Sequence, residues 1–234
     1  MRYYTQGDKI YIFGFSRGAY TARFLSKMID SIGLLSMGNE EMIYFAWEAF
    51  SDFQTNQNTG AESDRTEALM NQFKSNFCRT GEVAGDKVQV HFLGLFDCVN
   101  SVAAFLSAKD MPMPMPHEKK TIGLPAKHVR HAVSIHERRA MFQPVLFNPD
   151  PKKVAGPTGL VERWFAGNHG DVGGGWKSYP DPEGKESYLL SDIPLGWMIE
   201  QVKRVDEASK VRSNPNQKWF ILNFGNFLRH STAD

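Results

Sequence analysis

Three places in this sequence hold residue types that could do nucleophilic chemistry together. The first is Gly14-Phe15-Ser16-Arg17-Gly18, a serine with a glycine two positions away on either side. Asp97 follows directly on an apolar run, and His169 stands among Gly167, Gly170, Gly173, Gly174 and Gly175. A serine hydroxyl is a poor nucleophile until a base takes its proton, and a histidine serves as that base when a carboxylate orients its ring. One serine, one acid and one histidine, in that chain order, would meet the need.

Such groups work only if the elements around them converge. Residues 9–15 (KIYIFGF) follow the turn-like Gln6-Gly7-Asp8 and read as a buried strand. After Ser16 the period changes: Ala19, Ala22, Leu25, Met28, Ile29 and Ile32 recur at helical spacing, and Gly33 stands where a helix would stop. Strand, sharp turn and helix around G-x-S-x-G form a nucleophile elbow, the signature of α/β-hydrolases. A serine on that turn must adopt a strained backbone, and small neighbours let strand and helix approach. The helix N-terminus then aims its N–H groups at the site, and the Arg17 N–H is the expected oxyanion donor. The bland reading of the same residues is a serine in a packing turn.

Asp97 ends a second predicted strand, 88–96 (VQVHFLGLF), which makes it the expected acid; its bland role is a cap or turn aspartate. His169 follows a third, 160–166 (LVERWFA), in a stretch read as a glycine-rich loop that can swing an imidazole over a neighbouring strand end. Asp171 is a rival acid, or a hydrogen-bond partner within the histidine loop.

Elsewhere the pattern predicts helices over 40–50 and 66–78 with a polar loop at 54–63 between them. Residues 104–125 contain Met-Pro-Met-Pro-Met-Pro at 111–116, which suits neither helix nor central strand and reads as a flap or lid. Residues 127–140 are expected to be helical, carrying His128, His131 and His136. His128 and His131 have the i, i+3 spacing of metal ligands, but no carboxylate or cysteine pattern completes a site, so no metal is expected. Ser191-Asp192 is expected to cap a helix reaching about 205, and 219–224 is a last strand candidate. Strands separated by helices imply an α/β fold with a mostly parallel sheet and helices on both faces, in a single domain over 1–234. In such sheets chemistry collects at the carboxyl ends of the strands.

Composition narrows the alternatives. A chain of 234 residues can bury a real core, and 41% hydrophobic with 23% charged residues is ordinary for a soluble domain. A net charge of +1 gives no reason to expect nucleic acid. Cys78 and Cys98 read as free thiols more readily than as one bridge. The N-terminus has no apolar signal core, and no apolar run approaches the roughly 18 residues of a membrane span, so a cytoplasmic setting is the expectation. The glycine run 173–175 lacks G-x-G-x-x-G spacing, and no cofactor is expected.

The run GFSRGAYTARFL at 14–25 resembles the catalytic domain of the type VI secretion phospholipase-effector-like family. Four further blocks agree in order: HFLGLFDCVNSV at 91–102, RHAVSIHERRAMFQPVLF at 130–147, RWFAGNHGDVGGGW at 163–176 and LSDIPLGWMIE at 190–200. The resemblance implies a Ser-Asp-His hydrolase, with Ser16, Asp97 and His169 in those roles, acting on carboxylic esters or phospholipids. His136 stands where the family usually has an aspartate, which implies no catalytic duty there. Family members begin well upstream of the elbow strand, so the expectation is an N-terminally truncated form with one oxyanion donor fewer. Its expected partners are a lipid or small ester substrate, a membrane surface in transient contact, and a second copy through an exposed sheet edge. The competing reading is a catalytically weak or inactive binding module.

Overall fold

The computed structural model describes residues 2–56, 60–79, 87–99, 124–147, 159–177 and 189–210. The elements in chain order are β1 (Ile10–Phe15), α1 (Arg17–Ile32), α2 (Ile43–Asn56), α3 (Gly60–Phe77), β2 (Val90–Phe96), β3 (Ala126–Ser134), β4 (Leu160–Phe165), α4 (His169–Gly173) and α5 (Asp192–Lys210). Short 3₁₀ turns sit at Glu40–Met42 and Ala140–Phe142. Among the described residues the strands form one sheet in the order β1-β2-β3-β4, and every pair is parallel.

Both faces of this sheet are covered. Successive side chains on a strand point to opposite faces, so a strand buried on both sides reads as a nearly continuous apolar run. On one face Val90, Leu93, Leu95 and Val129 pack with Ala19, Tyr20, Ala22 and Ile29 of α1. On the other, Phe92, Ala132 and Phe165 pack with Trp197, Met198 and Val205 of α5 and Val172 of α4. Helix α1 turns Ala19, Ala22, Arg23, Ser26, Ile29 and Ile32 inward, a stripe at helical spacing. It ends at Gly33, whose φ of 94° and N–H bond to the Ile29 carbonyl close the last turn. Glycine at 14 is a packing requirement: a Cβ there would lie 2.4 Å from the Gly18 carbonyl oxygen.

The register between β1 and β2 shifts by one residue, pairing Ile10 with Val90 but Tyr11 with Phe92, so His91 has no opposite number on β1. His91 is buried against Tyr11 and His128, and its Nε2 has no hydrogen-bond partner among the described residues.

Three sequence expectations need correction. Residues 127–140 are not helical: 126–134 form β3, buried except near its start, and a 3₁₀ turn follows. The strand escapes notice because Arg130 and His131 interrupt its apolar run, each buried on hydrogen bonds that neutralise its cost: Arg130 to Gln201, Val129 and Gly159, His131 to Glu162 and Cys98. The stretch 54–63 is largely helical, closing α2 at Asn56 and opening α3 at Gly60. His169 belongs to α4 and not to a loop. Of the expected flap over 104–125, residues 104–123 lie outside the described residues, as does the strand candidate at 219–224.

Candidate active site

Ser16 lies one residue past β1, with φ 58° and ψ −127°, a left-handed backbone that a non-glycine residue adopts only under local compulsion. The compulsion is visible in the hydrogen bonds. The Ser16 N–H donates to the Phe96 carbonyl at 3.0 Å, while its carbonyl accepts from Ala19, Tyr20 and Val99 at 3.1, 3.2 and 3.4 Å. The turn is thereby fixed to its own helix and to the neighbouring strand end. Arg17 and Gly18 open α1, and their N–H groups are first-turn donors with no carbonyl of the helix to bind. Positive potential at this helix start faces the space around the Ser16 hydroxyl.

Asp97 is the matching residue past β2 and is fully buried, with φ 41°. Its N–H donates to the Ala132 carbonyl at 2.7 Å. Oδ1 accepts the Ser134 N–H at 2.8 Å, and Oδ2 accepts the Ser134 hydroxyl at 2.8 Å. Oδ2 also lies 2.7 Å from His169 Nδ1. A carboxylate can only accept, so Nδ1 carries the ring proton and Nε2 is left as an acceptor. Ser16 Oγ lies 2.8 Å from that Nε2 and donates to it. The three side chains form one continuous line, hydroxyl to imidazole to carboxylate, across three strand ends.

The backbone beyond Asp97 is held as firmly. The Cys98 N–H donates to His131 Nε2 at 3.1 Å, and His131 Nδ1 in turn bonds Glu162 Oε1 at 2.8 Å. Burial pushes the Cys98 thiol up to about 12, so it stays protonated and is no rival nucleophile.

His169 is the first residue of α4. Asn168 caps that helix: its side chain accepts from Gly170 and Asp171 N–H groups, while the Asp171 carboxylate accepts the Asn168 N–H at 2.8 Å. Asp171 therefore secures the backbone at His169, and the carboxylate on the imidazole belongs to Asp97. Asn168-x-x-Asp171 is a capping box legible in the sequence, and it would have placed His169 on a helix start. The buried imidazole packs against two aromatic rings, Phe15 with centroids 4.6 Å apart and Phe142 at 4.7 Å. Glycine at 173 makes room for the first, since a Cβ there would meet the Phe15 ring at 1.9 Å.

The segment after β3, which lies in the resemblance block at 130–147 but was given no role in the site, reaches the same imidazole. Ser134 ends the strand on the Asp97 carboxylate, the Gly167 N–H donates to His136 Nδ1 at 3.0 Å, and the His169 N–H donates to Glu137 Oε2 at 3.1 Å. Two hydrogen bonds from Arg139 lead the causes that hold Glu137 down at about 2. No spacing motif marks Ser134 or Glu137, and the signal that could have drawn attention to them is the resemblance block at 130–147 that contains both.

Among the described residues there is no group of three or more His, Cys, Asp or Glu side chains arranged to hold a metal ion. Among them, too, no helix is long and apolar enough to cross a membrane.

No solved structure matches the chain. Over 151 residues, 64% of this chain, it is 41% identical to the Uncharacterized protein YEL023C of Saccharomyces cerevisiae, and that match covers 20% of the yeast protein. The chain thus spans about a fifth of the length of this curated relative. Residues 1–201 match the family model described as T6SS, Phospholipase effector Tle1-like, catalytic domain, with an α/β-hydrolase-like fold, and the chain belongs to that family.

Proposed function

We propose that this chain is a serine hydrolase that cleaves carboxylic esters of lipids, phospholipids among them, through an acyl-enzyme on Ser16. The observation that carries the reading is the line Ser16 Oγ, His169 Nε2, His169 Nδ1, Asp97 Oδ2, with separations of 2.8 and 2.7 Å at its two hydrogen bonds. Membership of a phospholipase-like catalytic family supports a lipid substrate.

In the proposed sequence His169 Nε2 takes the hydroxyl proton as Ser16 Oγ attacks the ester carbonyl. The carbonyl oxygen becomes an oxyanion facing the start of α1, where the Arg17 N–H donates to it. The imidazolium, stabilised by Asp97, gives its proton to the leaving alcohol, and the C–O bond breaks. Water then attacks the acyl-enzyme by the same steps, releasing the acid and restoring the serine. Asp97 keeps its charge throughout, its two oxygens held by Ser134 and His169.

A fluorophosphonate probe tests this, because only an activated serine is modified quickly. Expected are a single adduct, mapped to Ser16 by peptide mass spectrometry, and release of fatty acid from phosphatidylcholine vesicles that the probe abolishes. A chain that neither labels nor hydrolyses would overturn the reading and leave a ligand-binding module.

A further inference from the structure

We propose that Glu137, Arg139 and Phe142 form a closed clamp that positions the His169 imidazole. The inference rests on the reading of His169 as general base, and these three are positioning residues for it.

The clamp begins at the backbone of the base. Glu137 Oε2 accepts the His169 N–H at 3.1 Å, fixing the point from which the side chain projects. The same carboxylate holds Arg139 through a fork, Nε to Oε1 at 2.8 Å and Nη2 to Oε2 at 2.7 Å, and its Oε1 also accepts the Arg139 backbone N–H at 2.8 Å. The Arg139 guanidinium carbon lies 4.0 Å above the centre of the Phe142 ring. The Phe142 ring packs on the His169 ring at 4.7 Å between centroids. The circuit leaves His169 at its backbone and returns to its imidazole within the six residues 137–142.

Each member explains the next. Glu137 is half-buried, with its side chain 4% exposed beside an Arg139 side chain that is 57% exposed, and the fork supplies the charge partner such a carboxylate favours. The fork cannot be reproduced by lysine, which has no planar pair of donors. A guanidinium held by Glu137 stands over the Phe142 ring, and cations favour such ring faces. Phe142 is thereby pressed against the imidazole. With backbone and ring both fixed, Nε2 stays aimed at Ser16 Oγ, and a misplacement of about 1 Å at such a point costs roughly 10²-fold in rate. Phe142 closes a short 3₁₀ turn and Arg139 is exposed, so truncating Arg139 opens the Glu137 carboxylate to water and should cost little global stability.

The test compares Arg139→Ala, Phe142→Leu and Phe142→Tyr with the unaltered 234-residue chain. Three quantities are read: the second-order rate of fluorophosphonate labelling, the Tm, and the Nδ1–H proton resonance of ¹⁵N-labelled His169. Arg139→Ala and Phe142→Leu should label roughly 10- to 100-fold more slowly. Their Tm should stay within about 3 °C, equivalent to about 1 kcal/mol for a chain this size. The His169 Nδ1–H should exchange faster with water in both. Phe142→Tyr keeps the ring face and should retain most of the labelling rate. If the wild type labels and both disruptive variants match it within twofold, the clamp is refuted while the hydrolase reading stands. If the wild type does not label, the hydrolase reading falls, and the Nδ1–H resonance alone decides: faster exchange in the two variants supports the clamp, and unchanged exchange refutes it. A labelling loss that merely tracks a large fall in Tm would also overturn it.

Discussion

Ser16 and Asp97 are geometric twins on adjacent strands. Phe15 pairs with Phe96 in the β1–β2 register, and the residue just past each strand is non-glycine with positive φ, 58° at Ser16 and 41° at Asp97. No other non-glycine residue among those described has positive φ. Their turns are cross-tied, since the Ser16 N–H bonds the Phe96 carbonyl and the Val99 N–H bonds the Ser16 carbonyl. Strain at both positions is sustained by the sheet beneath them, and each turn props the other. The distance between Ser16 and Asp97 is therefore a property of strand pairing, and His169 needs only to enter the gap.

Ser16→Ala should fold as the unaltered chain does, because the hydroxyl donates only to His169 and fills no core position. Turnover on p-nitrophenyl esters should fall by on the order of 10⁶. Activity within tenfold of wild type in a purified variant would remove Ser16 from the mechanism.

Asp97→Asn and Ser134→Ala should separate by orders of magnitude. An amide at 97 can present its NH₂ to His169 Nδ1 and favour the wrong tautomer, a change that costs about 10⁴ in kcat in a triad. Ser134→Ala removes one of the two hydrogen bonds at Oδ2 but leaves the backbone N–H on Oδ1, so the loss should be about tenfold, equivalent to about 1.4 kcal/mol. Equal kcat losses in the two variants would argue against Asp97 as the acid.

Gly14→Ala should disturb the elbow from below. The new methyl would sit 2.4 Å from the Gly18 carbonyl oxygen and 2.6 Å from the Ala19 Cα, both on the helix backbone. Backbone cannot swing aside like a side chain, so strand and helix must separate, at roughly 1–3 kcal/mol. Urea unfolding should show the loss, with Ser16 labelling slowed as well. A variant with an unshifted urea midpoint would mean that the contact is looser than these distances say.

His91 should make the fold sensitive to acid. Burial is the main cause that holds its imidazole down at about 3, helped by Lys9, His128 and Lys127 nearby. The unfolded chain takes up this proton near pH 6.5, whereas the folded chain does not until about 3, so folding loses stability as pH falls through that window. Between pH 7 and 5 the loss reaches at most about 2 kcal/mol. Glu137 contributes in a lower window, from 4.5 down to about 2, so it does not confuse the comparison. His91→Phe should flatten the change in urea midpoint between pH 7 and pH 5. The same slope in both proteins would rule out His91 as its source.

The strands that lead to Ser16, Asp97 and His169 were legible because their ends coincide with residues of candidate chemistry. An apolar run that stops at a serine, an acid or a glycine-flanked histidine announces both its type and its direction. β3 was hidden for the opposite reason. It contributes Ser134 to the site but carries Lys127, His128, Arg130 and His131 within its length, and charged residues in a strand read as the wet side of a helix. What allows them there is tertiary: Glu162 on β4 stands beside His131 and Gln201 on α5 beside Arg130, partners that no local window contains. The spacing of His128 and His131 looked like a metal pair only on a helix; on a strand an odd separation sends them to opposite faces. The resemblance block at 130–147 contains Glu137, but its contact was not legible for the same reason, since it arises only when α4 brings the His169 N–H to it.

The in-step pairing of Phe15 with Phe96 and of Phe96 with Ala132 gives reactivity at Ser16 a second meaning. A strand that slips by one residue moves about 3.3 Å along its neighbour and turns every side chain to the other face. Under the proposed mechanism such a chain could be compact, helical and soluble, yet its serine would face the wrong layer and stay inert. Labelling would then count correctly threaded molecules one by one, a parity check on the sheet that circular dichroism cannot perform.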